Sequence, residues 1–188
     1  MKQPGTIPPY FRLSNKAYGV LSNYLINGTT VTLKDLVNSK GDLSISLCFK
    51  SDYHTDDSRT VLVLGDYSIL GDNYILSQGI EISVHEVKIK SDKASLSIPL
   101  EDSEVTNLDI TYNNSTNTTK VYVDGVMTGS ANDIDLRTVI GTNLINANIY
   151  LGCSKYDSNL FNYADVQYYR LMIYSKALTD YEILLNFL

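Results

Sequence analysis

The chain of 188 residues has no tryptophan, two cysteines and four prolines. Cys48 and Cys153 lie too far apart, each without a second thiol or histidine nearby, to form a disulfide framework or a zinc site, and they read as buried free thiols. Positive charge is also scarce, with 15 Lys and Arg against 21 Asp and Glu and a net charge of −6. DNA and RNA need a basic stripe that displaces counterions, and only "VKIK" at 87–90 approaches one, so nucleic acid is excluded as a partner. No apolar run approaches the roughly 18–20 residues that span a bilayer, which excludes insertion by a transmembrane helix. The opening "MKQPGTIPPYFRLSNK" lacks the apolar core of a secretory signal. The expectation is a chain that is cytosolic, cut from a larger precursor, or released by a route other than secretion.

What is present is alternation. In "DLSISLCFK" (42–50), Leu43, Ile45, Leu47 and Phe49 share one face and Ser44, Ser46, Cys48 and Lys50 the other, the mark of a half-buried strand. "RTVLVLGD" (59–66) is nearly continuous in apolar residues, as a more central strand would be. "GIEISVHEVKIKSD" (79–92) changes parity between Val84 and Val87, which predicts a turn or bulge at His85–Glu86. "ASLSIPL", "NLDITY", "KVYVDGVMTGS" and "NIYLG" follow. Asp124–Gly125 predicts a two-residue type I′ hairpin, because both central residues must take positive φ. Ten to twelve strands at regular spacing imply an all-β, antiparallel two-sheet sandwich.

One helix is predicted, at the C-terminus. Thr179 and Glu182 form a capping box, Leu178 and Ile183 a hydrophobic staple, and Ile183, Leu184 and Phe187 the buried face. The strand before it is expected to turn Tyr169, Leu171 and Ile173 to the core, and Val166, Tyr168, Met172 and Tyr174 away from it. Residues 1–20 are set apart as an N-terminal arm or first strand, with the prolines of "MKQPGTIPPY" suited to a strap that joins copies of the chain into a homo-oligomer. Residues 21–188 make the main domain.

"RLMIYSKALTDYEILLNF" (170–187) resembles the closing motif of laminin-G-like domains of the concanavalin A-like lectin/glucanase superfamily, through Ile173, Tyr174, Ala177, Leu178, Thr179, Glu182 and Ile183. "GDLSISLCFKSD", "TKVYVDGVMTGS" and "ANIYLGCS" resemble three further motifs of that family in the same order. The resemblance implies a β-jelly-roll with a short C-terminal helix. The ending "EILLNF" is similar to the variety found in bacteriophage tail, baseplate and head-decoration proteins.

Catalytic members of that superfamily carry two carboxylates on one face of a strand, as retaining glycoside hydrolysis requires. Here only Glu81 and Glu86 come near, and five residues apart on one strand they would point to opposite faces. His54 and His85 have no nucleophile motif beside them, and a Cys48–His85 pair is the only thiol alternative. No cofactor is implied. The acidic loops carrying Asp52, Asp56, Asp57, Asp66, Asp72 and Asn73 could offer oxygens to a Ca²⁺ ion, as the family's rim sites do. Sugar recognition needs an aromatic plane with carboxylate and amide partners, and the 15 tyrosines supply the planes in a chain without tryptophan. The candidate glycan contacts are Tyr53, Asp56, Asp57, Tyr67, Asn73, Tyr74, Tyr156 and Asp157. The expected role is a non-enzymatic module of a bacteriophage particle that binds a host-surface saccharide or neighbouring virion proteins. The alternative is the carbohydrate-binding accessory domain of a secreted bacterial glycoside hydrolase, located outside the cell or at its surface.

Overall fold

The computed structural model describes residues 11–14, 16–21, 23–26, 29–32, 41–51, 59–71, 73–101, 105–141 and 148–187. The proline-bearing segment 1–10 of the expected N-terminal strap lies outside them. Two six-stranded sheets pack face to face. The first has the order β1 (Phe11–Leu13), β16 (Val166–Tyr174), β5 (Leu43–Ser51), β10 (Thr106–Asn113), β11 (Thr118–Val123) and β12 (Val126–Asn132). The second has the order β2 (Gly19–Leu21), β13 (Ile149–Leu151), β6 (Thr60–Leu70), β7 (Asn73–Ser83), β8 (Glu86–Lys90) and β9 (Ser95–Pro99). Every pairing between these named strands is antiparallel. Two hairpins stand outside the sheets, β3 (Asn23–Ile26) with β4 (Thr29–Thr32), and β14 (Ser154–Tyr156) with β15 (Asn159–Phe161).

The alternation read from the sequence builds the core. Leu43, Ile45, Leu47 and Phe49 of β5, with Leu108 and Ile110 of β10, meet Leu62, Leu64, Ile80, Ile82, Val87 and Ile89 of the second sheet in one buried cluster. Burying each such side chain contributes about 1.5–3 kcal/mol. Tyr168 reaches across the layers, and its hydroxyl donates to the Val61 carbonyl at 2.5 Å. Asp124 and Gly125 take φ of 50° and 78°, as the hairpin turn between β11 and β12 demands. Neither cysteine is in a disulfide; Cys153 is buried, and Cys48 is half-buried on the outer side of β5. Burial pushes the Cys153 thiol up to about 11.

The strand β16 departs from the simple alternation. Tyr168 pairs with Phe49 and Arg170 with the adjacent Cys48, leaving Tyr169 as an extra residue in a bulge. Val166 and Tyr168 are therefore in the core, contrary to the sequence reading, and past the bulge the inward positions pass to Leu171 and Ile173. A short helix that the sequence reading lacks, α1 (Leu136–Gly141), follows β12; the Asp135 carboxylate caps it by accepting from the Arg137 N–H at 2.9 Å. The C-terminal helix α2 (Asp180–Phe187) opens with the expected capping box. Thr179 N donates to Glu182 Oε2 at 3.0 Å, and Glu182 N donates to Thr179 Oγ1 at 3.3 Å. Leu178 and Ile183 pack together against Tyr122 on the outer side of the first sheet.

Candidate functional site

The outer face of the second sheet is where polar and aromatic side chains converge. Ile80 and Ile82 point inward on β7, so Glu81 points out; Val87 and Ile89 point inward on β8, so Glu86, Lys88 and Lys90 point out. Strand register places Val63, Glu81, Lys88 and Ser97 in one row across β6 to β9. The next row is Gly65, Gly79, Lys90 and Ser95. Gly65 and Gly79 let two backbones approach where a side chain could not fit: a Cβ on Gly79 would lie 2.4 Å from the Leu64 carbonyl oxygen.

The hairpin β14–β15 lies over β6 and walls this face on one side. Tyr150, Tyr156 and Phe161 cover Val63, Tyr67 and Leu76, so apolar packing fixes the hairpin to the sheet. Tyr74 of β7 stacks on Phe161, with ring centroids 4.3 Å apart, and tilts against Tyr156 at 5.3 Å. Between this aromatic wall and strands β8 and β9 opens a cavity of about 570 Å³, whose lining includes Asn73, Tyr74, Lys90, Ser95, Ser97 and Asn162. That volume lies within the range of small-molecule sites.

Beneath the wall runs a buried polar network. Thr60 Oγ1 and the Tyr67 hydroxyl meet Ser154 Oγ at 2.5 and 2.9 Å, and Thr60 Oγ1 donates to Glu81 Oε1 at 3.5 Å. Burial raises the Glu81 carboxyl above its ordinary value, against the opposing pull of Tyr67 and of the Lys88 ammonium. Burial also raises the Tyr67 hydroxyl, with the Glu81 charge adding to it. Glu86 differs. Partial burial pushes it up, but Lys88, whose Nζ is 2.7 Å from Glu86 Oε2, and the Ser97 hydroxyl outweigh that and hold it below its ordinary value. Lys90 has no ion-pair partner among the described residues.

The predicted contacts divide. Asn73 and Tyr74 line the cavity, and Tyr156 supports Tyr74 from behind. Tyr67 is only 7% exposed, a member of the buried network instead of a loop surface. Asp157 sits exposed at the β14–β15 tip with a φ of 53°. Tyr53, Asp56 and Asp57 lie outside the described residues, as do Asp52, His54 and Asp72. Among the described residues no three His, Cys, Asp or Glu side chains gather closely enough to hold a metal ion.

The expected opposition of Glu81 and Glu86 is wrong. The chain reverses at Val84–His85, so the two carboxylates share one face on neighbouring strands. Both are committed to internal partners, Glu81 to Thr60 and Glu86 to Lys88 and Ser97. The Cys48–His85 pair does not form either: Cys48 belongs to the first sheet and His85 to the turn between two strands of the second. The sequence reading missed Lys88, Lys90, Ser95, Ser97, Phe161 and Asn162. The signal for the first four was present, since "VKIK" and "SLSIP" put every second residue on the face opposite the core.

The family model described as the concanavalin A-like lectin/glucanases superfamily matches residues 26–184. No curated protein matches the chain. Among solved structures, the chain resembles the CBM40 of the Ruminococcus gnavus IT-sialidase bound to α2,3-sialyllactose, with a TM-score of 0.58, 14% identity, and coverage of 89% of this chain and 97% of that one. It also resembles a putative carbohydrate-binding protein from Bacteroides ovatus, with a TM-score of 0.60, 15% identity, and coverage of 97% and 47%. A third match is the NanB sialidase of Streptococcus pneumoniae, with a TM-score of 0.58, 18% identity, and coverage of 89% of this chain but 27% of the enzyme.

These matches overturn the expectation of a bacteriophage tail, baseplate or capsid component and of a virion location, and they leave the virion-protein partners without support: the similar structures include bacterial carbohydrate-binding modules and sialidases. The ending "EILLNF" misled because the fold itself requires it. Glu182 completes the cap, Ile183 is fully buried, and the Asn186 carbonyl accepts from Arg170 Nη1 at 2.7 Å. A sandwich of two antiparallel sheets, closed by a capped helix and matched by the family model over most of its length, identifies the chain as a member of the concanavalin A-like lectin/glucanase superfamily.

Proposed function

We propose that the chain is a non-catalytic carbohydrate-binding module that serves a secreted or cell-surface bacterial glycoside hydrolase. It holds saccharide on the β7–β9 face. The observation that carries this reading is the cavity of about 570 Å³ in which an aromatic wall faces a row of hydroxyl, amide and ammonium groups. Tyr74, braced by Phe161, offers a plane to the apolar face of a sugar ring. Ser95, Ser97 and Asn73 supply hydrogen-bonding groups for its hydroxyls, and the Lys90 ammonium faces any acidic substituent. The carboxylates on this face are held by the protein's own groups, which suits retention of a sugar and not its cleavage.

Lys90 favours an acidic sugar of the sialoside type, and the sialyllactoses named for the R. gnavus module are ligands of that chemistry. A charge-assisted hydrogen bond is worth about 1.5–3 kcal/mol, roughly tenfold or more in affinity. Calorimetric titration with α2,3-sialyllactose and with lactose tests the reading. Tyr74→Ala is expected to weaken both by at least about tenfold, and Lys90→Ala to remove the preference for the sialylated sugar. Heat signals that stay flat for both sugars, or affinities indifferent to both substitutions, would contradict it.

A further inference from the structure

A second cavity, of about 650 Å³, lies on the opposite side of the sandwich, between the outer face of β10 and β11 and the segment that leads into α2. Its floor is a polar patch set by strand register, with Thr111 opposite Lys120 and Asn113 opposite Thr118. Its far wall runs from Ala177 to Tyr181. Tyr181, 68% exposed, lines its edge.

That wall is rigidly held. Ser44 Oγ donates to the Lys176 carbonyl at 2.8 Å and accepts from Leu178 N at 3.0 Å. The Tyr122 hydroxyl donates to Asp180 Oδ1 at 2.7 Å. The capping box fixes the next residues. A groove whose walls are already tied down costs little ordering on binding.

The chemistry of the lining narrows the ligand. Hydroxyls and an amide dominate, with one exposed aromatic ring. The charges present, Lys120 and Asp180, lie 4.0 Å apart and offset each other, so the groove favours neither sign. A peptide has no strand edge to join here, because β10 and β11 are each paired on both sides. The lining suits a flat, uncharged molecule rich in hydroxyls, with one apolar face for a tyrosine. From this groove we infer that the domain carries a second saccharide site, for a neutral sugar residue, on the sheet opposite the first. The domain would then bind glycans at two opposite faces, and two linked weak sites raise avidity without new contacts wherever branched or neighbouring glycans reach both.

Amide-shift mapping of the full chain during titration with lactose, maltotriose, cellotriose and N,N′-diacetylchitobiose separates the two faces. At least one of these sugars is expected to give saturable shifts at Thr111–Lys120 and at 177–181. Tyr181→Ala should weaken that binding about tenfold or more while Tyr181→Phe retains it. Neither change should alter sialyllactose binding at β7–β9. Shifts confined to β7–β9, or none at millimolar sugar, would overturn the second site. Failure of sialyllactose alone would count against the first face and leave this groove standing.

Discussion

Glu81 is 9% exposed on the outer face of the second sheet, where burial makes its charge costly. Its carboxyl is raised above the ordinary value of 4.5 by burial, which outweighs the hydrogen bonds from Tyr67 and Thr60 and the charge of Lys88. A carboxyl raised in the folded state favours its protonated form. The stability it contributes is full below pH 4.5 and is lost as pH rises through the folded value. Glu81→Gln keeps the size and the hydrogen-bonding oxygen but cannot ionise. Thermal unfolding should therefore show the Gln variant more stable than the parent at pH 7.5 and level with it at pH 4. A variant that melts lower at pH 7.5 would mean that the Lys88 attraction outweighs burial. Asp109 repeats the pattern on the other sheet. Only 1% exposed, its carboxyl is raised because burial outweighs the nearby Arg170 guanidinium.

At the scale of elements, the start of helix α2 is a local device that holds one wall of the second cavity in place. Thr179 and Glu182 satisfy backbone donors at its start, and Lys176 pairs with Glu182. Hydrogen bonding from Lys176, then from Thr179, holds the Glu182 carboxyl down at about 2. Thr179→Ala is expected to cost about 1 kcal/mol. That is about 2–4 °C in Tm for a domain of this size, measured by calorimetry. An unchanged Tm would show that the packing of Ile183 alone fixes the helix. This element was legible because its signals are local: a polar cap, a carboxylate three residues on, and apolar residues around it. The strands β5, β10 and β11 were legible because apolar and polar residues alternate along them, although Ser44, Ser46, Asp109, Thr111 and Tyr122 show that their outer faces are largely buried as well. The bulge at Tyr169 was not. An inserted residue reverses the parity of "DVQYYRLMIY", and nothing in the residue types there distinguishes inward from outward tyrosines. α1 escaped because six residues are too few to display a helical period. The hairpin β14–β15 escaped because its strands are three residues each and are fixed by long-range contact with Val63, Tyr67 and Leu76.

At the scale of the whole molecule, one packed core leaves two outer faces. The second sheet is divided by the β14–β15 hairpin, which creates an aromatic wall where a flat sheet would offer none. Part of this face was readable in advance: Asn73, Tyr74 and Tyr156 lie in a sequence where tyrosine stands in for tryptophan. The rest depends on which strands become neighbours. Lys90 and Ser95 are opposite each other only because β8 pairs with β9, and Phe161 reaches Tyr74 only because the hairpin folds over β6. Taking Glu81 and Glu86 for residues on opposite faces was the same kind of error, made by counting along one strand where the chain had already turned back.

The central claim is that saccharide is held against β7, β8 and β9 beside the Tyr74–Phe161 wall. A crystal structure of the chain soaked with α2,3-sialyllactose tests it most directly. The expected result is sugar density stacked on Tyr74, with its carboxylate at the Lys90 ammonium. Density elsewhere on the molecule, with the cavity between Tyr74 and Ser95 left to solvent at saturating ligand, would contradict it.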